Sequence, residues 1–139
     1  MDIERKLYDA AVDLIKTRYH TGWGGAAAMY TKGGRILTSI APEVLGDATN
    51  LCIETGAILE AHKFNDKVTH SICVVRDDEN SRFKVLTPCG ICQERLLYWG
   101  ENVKAAVFTK NGELNYKTLK EIQPYHWAIA YEGELQNYR

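Results

Sequence analysis

The sequence predicts a three-layer α/β/α domain, in which helices cover both faces of one sheet. Strand-like and helix-like segments alternate along the chain, and that order favours a sheet buried on two sides. Asn111-Gly112, between two extended segments, is a strong hairpin signal, and Gly33-Gly34 reads as a second turn of that kind. At 139 residues the chain is long enough for one domain with a real core and too short for two. Residues 1–139 are therefore expected to form a single domain.

Asp2 is the expected N-cap of a helix running to about Tyr19. Ile3, Leu7, Ala10, Ala11, Leu14 and Ile15 fall near one stripe, which places one side against the core. Gly22, Gly24 and Gly25 end that helix. Residues 26–31 read as a short buried strand, and Gly33-Gly34 turns the chain into a second strand over residues 35–40. Residues 42–50 read as loop, with Asn50 capping a helix over 51–64. A strand over 70–76, a polar loop over 77–81 and an extended piece over 83–86 lead to Pro88. Residues 89–99 read as helix. Two strands, 104–109 and 113–117, flank Asn111-Gly112, and a helical tail interrupted by Pro124 follows Thr118.

Composition narrows the function. Apolar residues make up 45% and charged residues 25%, ordinary for a soluble globular protein. A formal charge of −1 gives no electrostatic reason to expect a phosphate backbone as partner, so small neutral substrates fit better than nucleic acid. No apolar run approaches a membrane span, and the charged, periodic start Met1-Asp2-Ile3-Glu4-Arg5-Lys6 is unlike a signal peptide. A cytoplasmic location without a membrane partner is expected. Four cysteines in such a chain suggest metal or catalysis before disulfides.

Three of those cysteines stand in two motifs, Cys52-Ile53-Glu54 and Pro88-Cys89-Gly90-Ile91-Cys92. Each motif opens a segment read as a helix, which puts Cys52 in one first turn and Cys89 and Cys92 in another. Three thiolates and a water complete the four-coordinate shell of a catalytic Zn²⁺, leaving one position open for chemistry. One zinc ion per subunit, held by Cys52, Cys89 and Cys92, is the expected cofactor. Three thiolates leave a dication site net negative, and helix N-termini offset that charge. Pro88 suits a helix start, where no N–H is needed. Glu54, two residues after Cys52, is placed to move protons without ligating the metal. Cys-x-Glu followed by Pro-Cys-x-x-Cys is the pattern of zinc-dependent deaminases.

Other readings of these residues stay open. Glu54 could be an exposed helix glutamate, and a Cys-x-x-Cys pair also serves redox chemistry or half of a structural zinc site. A structural site would close a fourth protein ligand. Cys73 lies within the apolar run Ser71-Ile72-Cys73-Val74-Val75 and reads as a small core residue. His20, His62, His70 and His126 show no ligand spacing to one another, and His62 lies nearly three helical turns past Cys52.

On these motifs the chain resembles the small homo-oligomeric cytidine deaminases, whose relatives include blasticidin-S deaminase. The resemblance covers nearly the whole length. It extends from the N-terminal helix and an aromatic before Gly-Gly-Ala-Ala (Trp23 to Ala27) to Leu-Lys-Glu-Ile-Gln-Pro (Leu119 to Pro124). It implies a cytidine-deaminase-like domain with a five-stranded mixed sheet. It also implies a homotetramer or homodimer with sites completed by neighbouring subunits. The implied reaction is zinc-dependent hydrolysis of free cytidine or deoxycytidine to the uridines plus ammonia, in pyrimidine salvage. Trp23 is implied to give the nucleoside an apolar contact. The backbone at Ile53 and Thr87 is implied to meet the pyrimidine carbonyl and exocyclic amine, and Glu43 to bind a ribose hydroxyl. In that family a C-terminal aromatic stacks on the base in a neighbour's site, and Trp127, three residues after Pro124, is the candidate. The alternative is an aromatic cluster of Tyr125, His126, Trp127, Tyr131 and Tyr138 that only covers the core or an interface. Tyr98 and Trp99 read as packing.

The chain departs from the family at three places. Ala41 stands where relatives usually carry Asn, Thr55 where a basic residue often follows the glutamate, and Gln93-Glu94 where Arg-Gln is common. Arg95, three residues beyond Cys92, is a candidate for the missing positive charge; a surface arginine is the alternative. Deamination of a 4-aminopyrimidine rests on the metal and Glu54, which are intact. Ribose recognition rests on the altered loop around Glu43, so a modified nucleoside such as blasticidin S is the alternative substrate. A nucleic-acid-editing deaminase would call for clustered Lys and Arg, which are scattered here. A non-catalytic zinc module would not require Glu54.

Overall fold

The computed structural model describes residues 2–131, so Tyr138 lies outside the described residues. Helix α1 spans Ile3–Arg18, and the Asp2 carboxylate accepts from the Glu4 and Arg5 N–H groups. Strand β1 (Gly24–Thr31) begins two residues earlier than its sequence suggests. Gly24 allows this, because a Cβ there would sit 2.8 Å from Ile15 Cγ2 and 3.0 Å from the Tyr19 ring. The start of β1 therefore runs directly against the end of α1.

The strands that follow are β2 (Ile36–Ser39), β3 (Val68–Arg76), β4 (Lys84–Val85), β5 (Lys104–Ala106) and β6 (Tyr116–Thr118). The sheet order is β2-β1-β3-β5-β6, with the two-residue β4 also paired to β3. β3 and β5 run parallel, and the other pairs are antiparallel. The mixed sheet thus has its five expected positions and one short extra strand. β5 and β6 are shorter than the sequence suggests. Between them, Asn111 Oδ1 accepts from Glu113 N–H and Thr109 Oγ1 donates to the Glu113 carbonyl, so side chains take over the turn.

Helices lie on both faces. Leu7, Ala11 and Ile15 of α1 pack on Ala26, Ala28, Ile72 and Val74. The opposite face carries α2 (Thr55–Lys63) and α3 (Gly90–Leu97). There Ala57, Ile58, Ala61 and Leu96 pack on Met29, Leu37 and Val68. Fully burying a leucine or isoleucine contributes about 1.5–3 kcal/mol, so Leu7, Ile15 and Leu96 anchor the two layers. Tyr30 pairs with His70 but Thr31 with Val68, so Thr69 is an extra residue in β3. Side chains alternate along a strand, and this bulge places Val68 on the α2 face while Ile72 and Val74 face α1.

One expected boundary is corrected. The regular helix begins at Thr55 rather than Leu51, so Cys52 lies ahead of α2 and not in its first turn. The Ser39 hydroxyl donates to the Ile53 carbonyl at 2.8 Å, and Thr55 N–H closes a tight turn on the Cys52 carbonyl at 3.1 Å. Asn50 receives the Leu51 N–H instead of capping a helix. The tail is also broken up. Helix α4 (Leu119–Ile122) is a single turn under a Thr118–Glu121 capping box, and a 3₁₀ turn spans Trp127–Tyr131.

Candidate active site

Two segments entering the same side of the sheet bring the cysteines together. The Sγ atoms of Cys52, Cys89 and Cys92 all lie within 4.8 Å of one another, and those of Cys52 and Cys89 are 3.3 Å apart. Sulfurs about 2.3 Å from a tetrahedral zinc stand about 3.8 Å from each other, so this trio fits Zn²⁺. No fourth His, Cys, Asp or Glu joins the group among the described residues. Cys92 is buried, Cys52 half-buried and Cys89 exposed, which leaves one side of the cluster open. Cys89 is the N-cap of α3 and Cys92 lies in its first turn, so the positive end of the helix faces the sulfurs.

The metal-free thiols differ in acidity. Burial raises the Cys89 pKa, but the Cys92 N–H and the Cys52 thiol outweigh it, and the net shift is downward. Burial and the charge of Glu54 push Cys92 up. The thiol of Cys89 pushes Cys52 up. Cys73 is buried on β3 outside the trio, and burial keeps it protonated. It is a core residue in this fold.

Glu54 stands at the N-cap position of α2, yet its side chain makes no cap hydrogen bond. It is only 5% exposed. Burial pushes its carboxyl pKa up, opposed in part by a hydrogen bond from the Cys92 thiol. A buried carboxyl beside three sulfurs, with its pKa raised by burial, is suited to taking and returning protons.

Ile53, next to Cys52 in the sequence, converges with Trp23. A Cβ at Gly25 would sit 2.9 Å from both Ile53 Cδ1 and Trp23 Cη2, so these side chains converge over that glycine. Trp23 is 48% exposed and meets Tyr19 edge-on at 5.8 Å. The Ile53 carbonyl is committed to the Ser39 hydroxyl. Thr87 lies just before Pro88, and its hydroxyl accepts the Phe108 N–H at 3.0 Å. Glu43 is exposed and paired with Arg18 Nη2 at 3.3 Å, and the Arg18 guanidinium lies over Tyr19. Through Tyr19 this pair borders Trp23.

Trp127 is placed differently. Its Nε1 donates to Glu94 Oε1 at 3.2 Å, and Glu94 lies about 200° around α3 from Cys92. The indole therefore sits on the outer side of the helix, away from the sulfurs of its own chain. Tyr98 and Trp99 flank His62, with Trp99 stacked on it at 4.6 Å.

Sequence reasoning overlooked Arg76. It is buried at the end of β3, donating Nε to the Gly22 carbonyl at 3.3 Å and Nη2 to the Tyr19 carbonyl. Glu79 accepts the Gly22 N–H at 3.1 Å, so the turn leading to Trp23 is held at both polar ends. A lone arginine closing the apolar run Ser71–Val75 was the available signal.

No family model matches the sequence. The fold is similar to the crystal structure of the cytidine deaminase from Bacillus anthracis. The two share 54% identity and a TM-score of 0.96, over 98% of this chain and 97% of that one. This chain belongs to the cytidine deaminase family. The cytidine deaminase from Mycobacterium leprae shares the fold at 22% identity and a TM-score of 0.68, covering 89% of this chain and 99% of that one. Blasticidin-S deaminase of Bacillus cereus is 28% identical over 111 residues, spanning 77% of this chain and 76% of its own. As a cytidine deaminase relative, the chain is a hydrolytic deaminase with a three-cysteine cluster suited to zinc. No helix among the described residues is long and apolar enough to cross a membrane.

Proposed function

We propose that the protein hydrolyses free cytidine and deoxycytidine to uridine and deoxyuridine, releasing ammonia. The observation that carries this reading is the buried Glu54 carboxyl beside a three-sulfur cluster open on one side. Cys52, Cys89 and Cys92 hold one zinc ion per subunit. When bound there, zinc acidifies a water and so supplies the nucleophile near neutral pH. Glu54 takes a proton from the attacking water and passes it to the ring nitrogen next to the reacting carbon. Glu54 then takes the remaining proton from the hydroxyl added at that carbon and delivers it to the amine, which leaves as ammonia as the C–N bond breaks and the carbonyl forms. The Ile53 N–H and the Thr87 backbone hold the pyrimidine, Trp23 covers its apolar face, and Glu43 meets the sugar. Trp127 serves the site of a second copy, since it faces away from its own sulfurs.

The protein works as one domain in a homotetramer or homodimer, in pyrimidine salvage in the cytoplasm. The exposed Tyr125, Trp127, Ile129 and Tyr131 support assembly, because so large an apolar patch on one segment favours cover. Analytical ultracentrifugation of the zinc-loaded protein tests this, and a monomer at micromolar concentration would refute it. A second substrate reading is blasticidin S, favoured by the relative from Bacillus cereus and by Ala41 in place of a sugar-binding side chain. Ultraviolet absorbance assays across cytidine, deoxycytidine, 5-substituted cytidines and blasticidin S separate the two. Turnover of the antibiotic with none of cytidine would overturn the first.

A further inference from the structure

Both residues that follow the last cysteine of the cluster are engaged by the C-terminal segment. Gln93 Oε1 accepts from Gln123 Nε2, while Gln93 Nε2 donates to the Pro88 carbonyl at 2.7 Å. Glu94 Oε1 accepts from Trp127 Nε1 at 3.2 Å and from His126 Nε2. His126 is itself fixed, because its Nδ1 accepts the Ala128 N–H at 3.0 Å and so leaves Nε2 to carry the proton. Its ring lies against the Trp127 indole, centroids 5.3 Å apart.

None of the five residues of the turn Trp127–Tyr131 is buried, so the core does not fix the indole, which meets only Tyr131 edge-on at 6.2 Å besides His126 among the described rings. What holds it is one carboxylate oxygen serving two ring N–H donors. Hydrogen bonds to an ionised acceptor are stronger than neutral ones, and two donors on one oxygen restrict both rings. A side chain already held in its binding orientation loses less freedom when a ligand arrives.

We propose that Glu94 is a positioning residue that presents the Trp127 indole, in a fixed orientation, to the nucleoside bound by a second copy of this chain. This rests on the substrate reading given above. Gln93 completes the clasp by joining the loop ahead of Cys89 to the same segment. The Gln93-Glu94 pair is therefore a specificity feature of this chain, set beside its metal cluster but acting through Trp127.

The test uses zinc-loaded protein with Glu94→Ala, Glu94→Gln, Trp127→Ala and the Glu94→Ala/Trp127→Ala double variant. Glu94→Ala is expected to raise the KM for cytidine about tenfold with kcat within about twofold, the effect of one lost charge-assisted hydrogen bond. Glu94→Gln keeps an acceptor oxygen and should recover most of that KM. The double variant should be no worse than Trp127→Ala alone, because the effect passes through the indole. In substrate-free protein carrying 5-fluorotryptophan, the ¹⁹F resonance lost in Trp127→Phe should shift or broaden in Glu94→Ala. An unchanged KM, additive losses, an unmoved resonance, or a fall in kcat together with zinc loss each overturns the proposal. If the unmodified protein turns over no cytidine, the substrate reading fails, and the resonance alone decides whether the clasp exists.

Discussion

Arg95 Nη1 donates to Thr55 Oγ1 at 3.0 Å, joining the residue one turn beyond Cys92 to the residue immediately after Glu54. The two segments that carry the cluster are thereby tied together by a charged side chain. Groups that support metal ligands from behind typically cost 10–100-fold in metal affinity when removed. Arg95→Ala is expected to speed zinc loss to a chelator by about tenfold and to move the pH–rate profile. Unchanged zinc content and an unchanged profile would leave Arg95 a surface residue.

Glu54→Gln should keep zinc and lose turnover by a factor of about 10³ or more. It should also stabilise the metal-free protein at neutral pH. Burial raises the folded-state pKa of Glu54 above its unfolded value, so the folded state binds that proton more tightly. The carboxyl therefore supports folding fully at acid pH and loses that support as pH rises through its folded pKa. Thermal melts should show the variant ahead at pH 7, with the gap closing below about pH 4, near the ordinary glutamate pKa. Equal melting temperatures at pH 7 would contradict the burial argument.

Gly25→Ala probes the convergence of Trp23 and Ile53. The new Cβ would stand 2.9 Å from both side chains, and one must move. Overpacking of this kind costs about 1–3 kcal/mol. The displaced indole should raise KM several-fold while kcat and zinc content stay near those of the unmodified protein. Steady-state kinetics that show a fall in kcat alone would argue against this placement of Trp23.

Asp66 offers a pH test away from the cluster. The Thr31 hydroxyl, the Arg35 guanidinium and the Gly33 N–H hold its carboxyl below the usual range. A depressed pKa means stability that is present above the unfolded value and is lost as pH falls through the folded one. Asp66→Asn should therefore lower the melting temperature by a constant amount above about pH 5, and by progressively less below about pH 4. A gap that widens on acidification would reverse the assignment.

Much of this was legible in the sequence, because its signals were local. Asp2 as a cap, the stripe from Ile3 to Ile15, and the turns at Gly33-Gly34 and Asn111-Gly112 each depend on residues close in the chain. The gathering of the three cysteines was legible for a different reason: a metal-binding cluster needs particular side chains at particular spacings. The start of α2 was not legible, because it depends on the hydroxyl of Ser39, fourteen residues before the carbonyl that it captures. Arg76, the Arg18–Glu43 pair and the Glu94 clasp escaped for the same reason. Each joins residues at least 25 apart in the chain. Pattern and propensity carry no information about such pairs.

The extra residue at Thr69 decides more than a local kink. The alternation of β3 changes phase across it, so Val68 serves the layer that carries α2 while Ile72 and Val74 serve the layer beneath α1. Deleting Thr69 would rotate Val68 by half a turn out of the oily pocket it fills and leave a hole beside Met29. Damage begun at the first residues of the sheet's central strand would then be felt under the helix that Glu54 precedes, a route by which a change remote from the chemistry loosens the ion's grip.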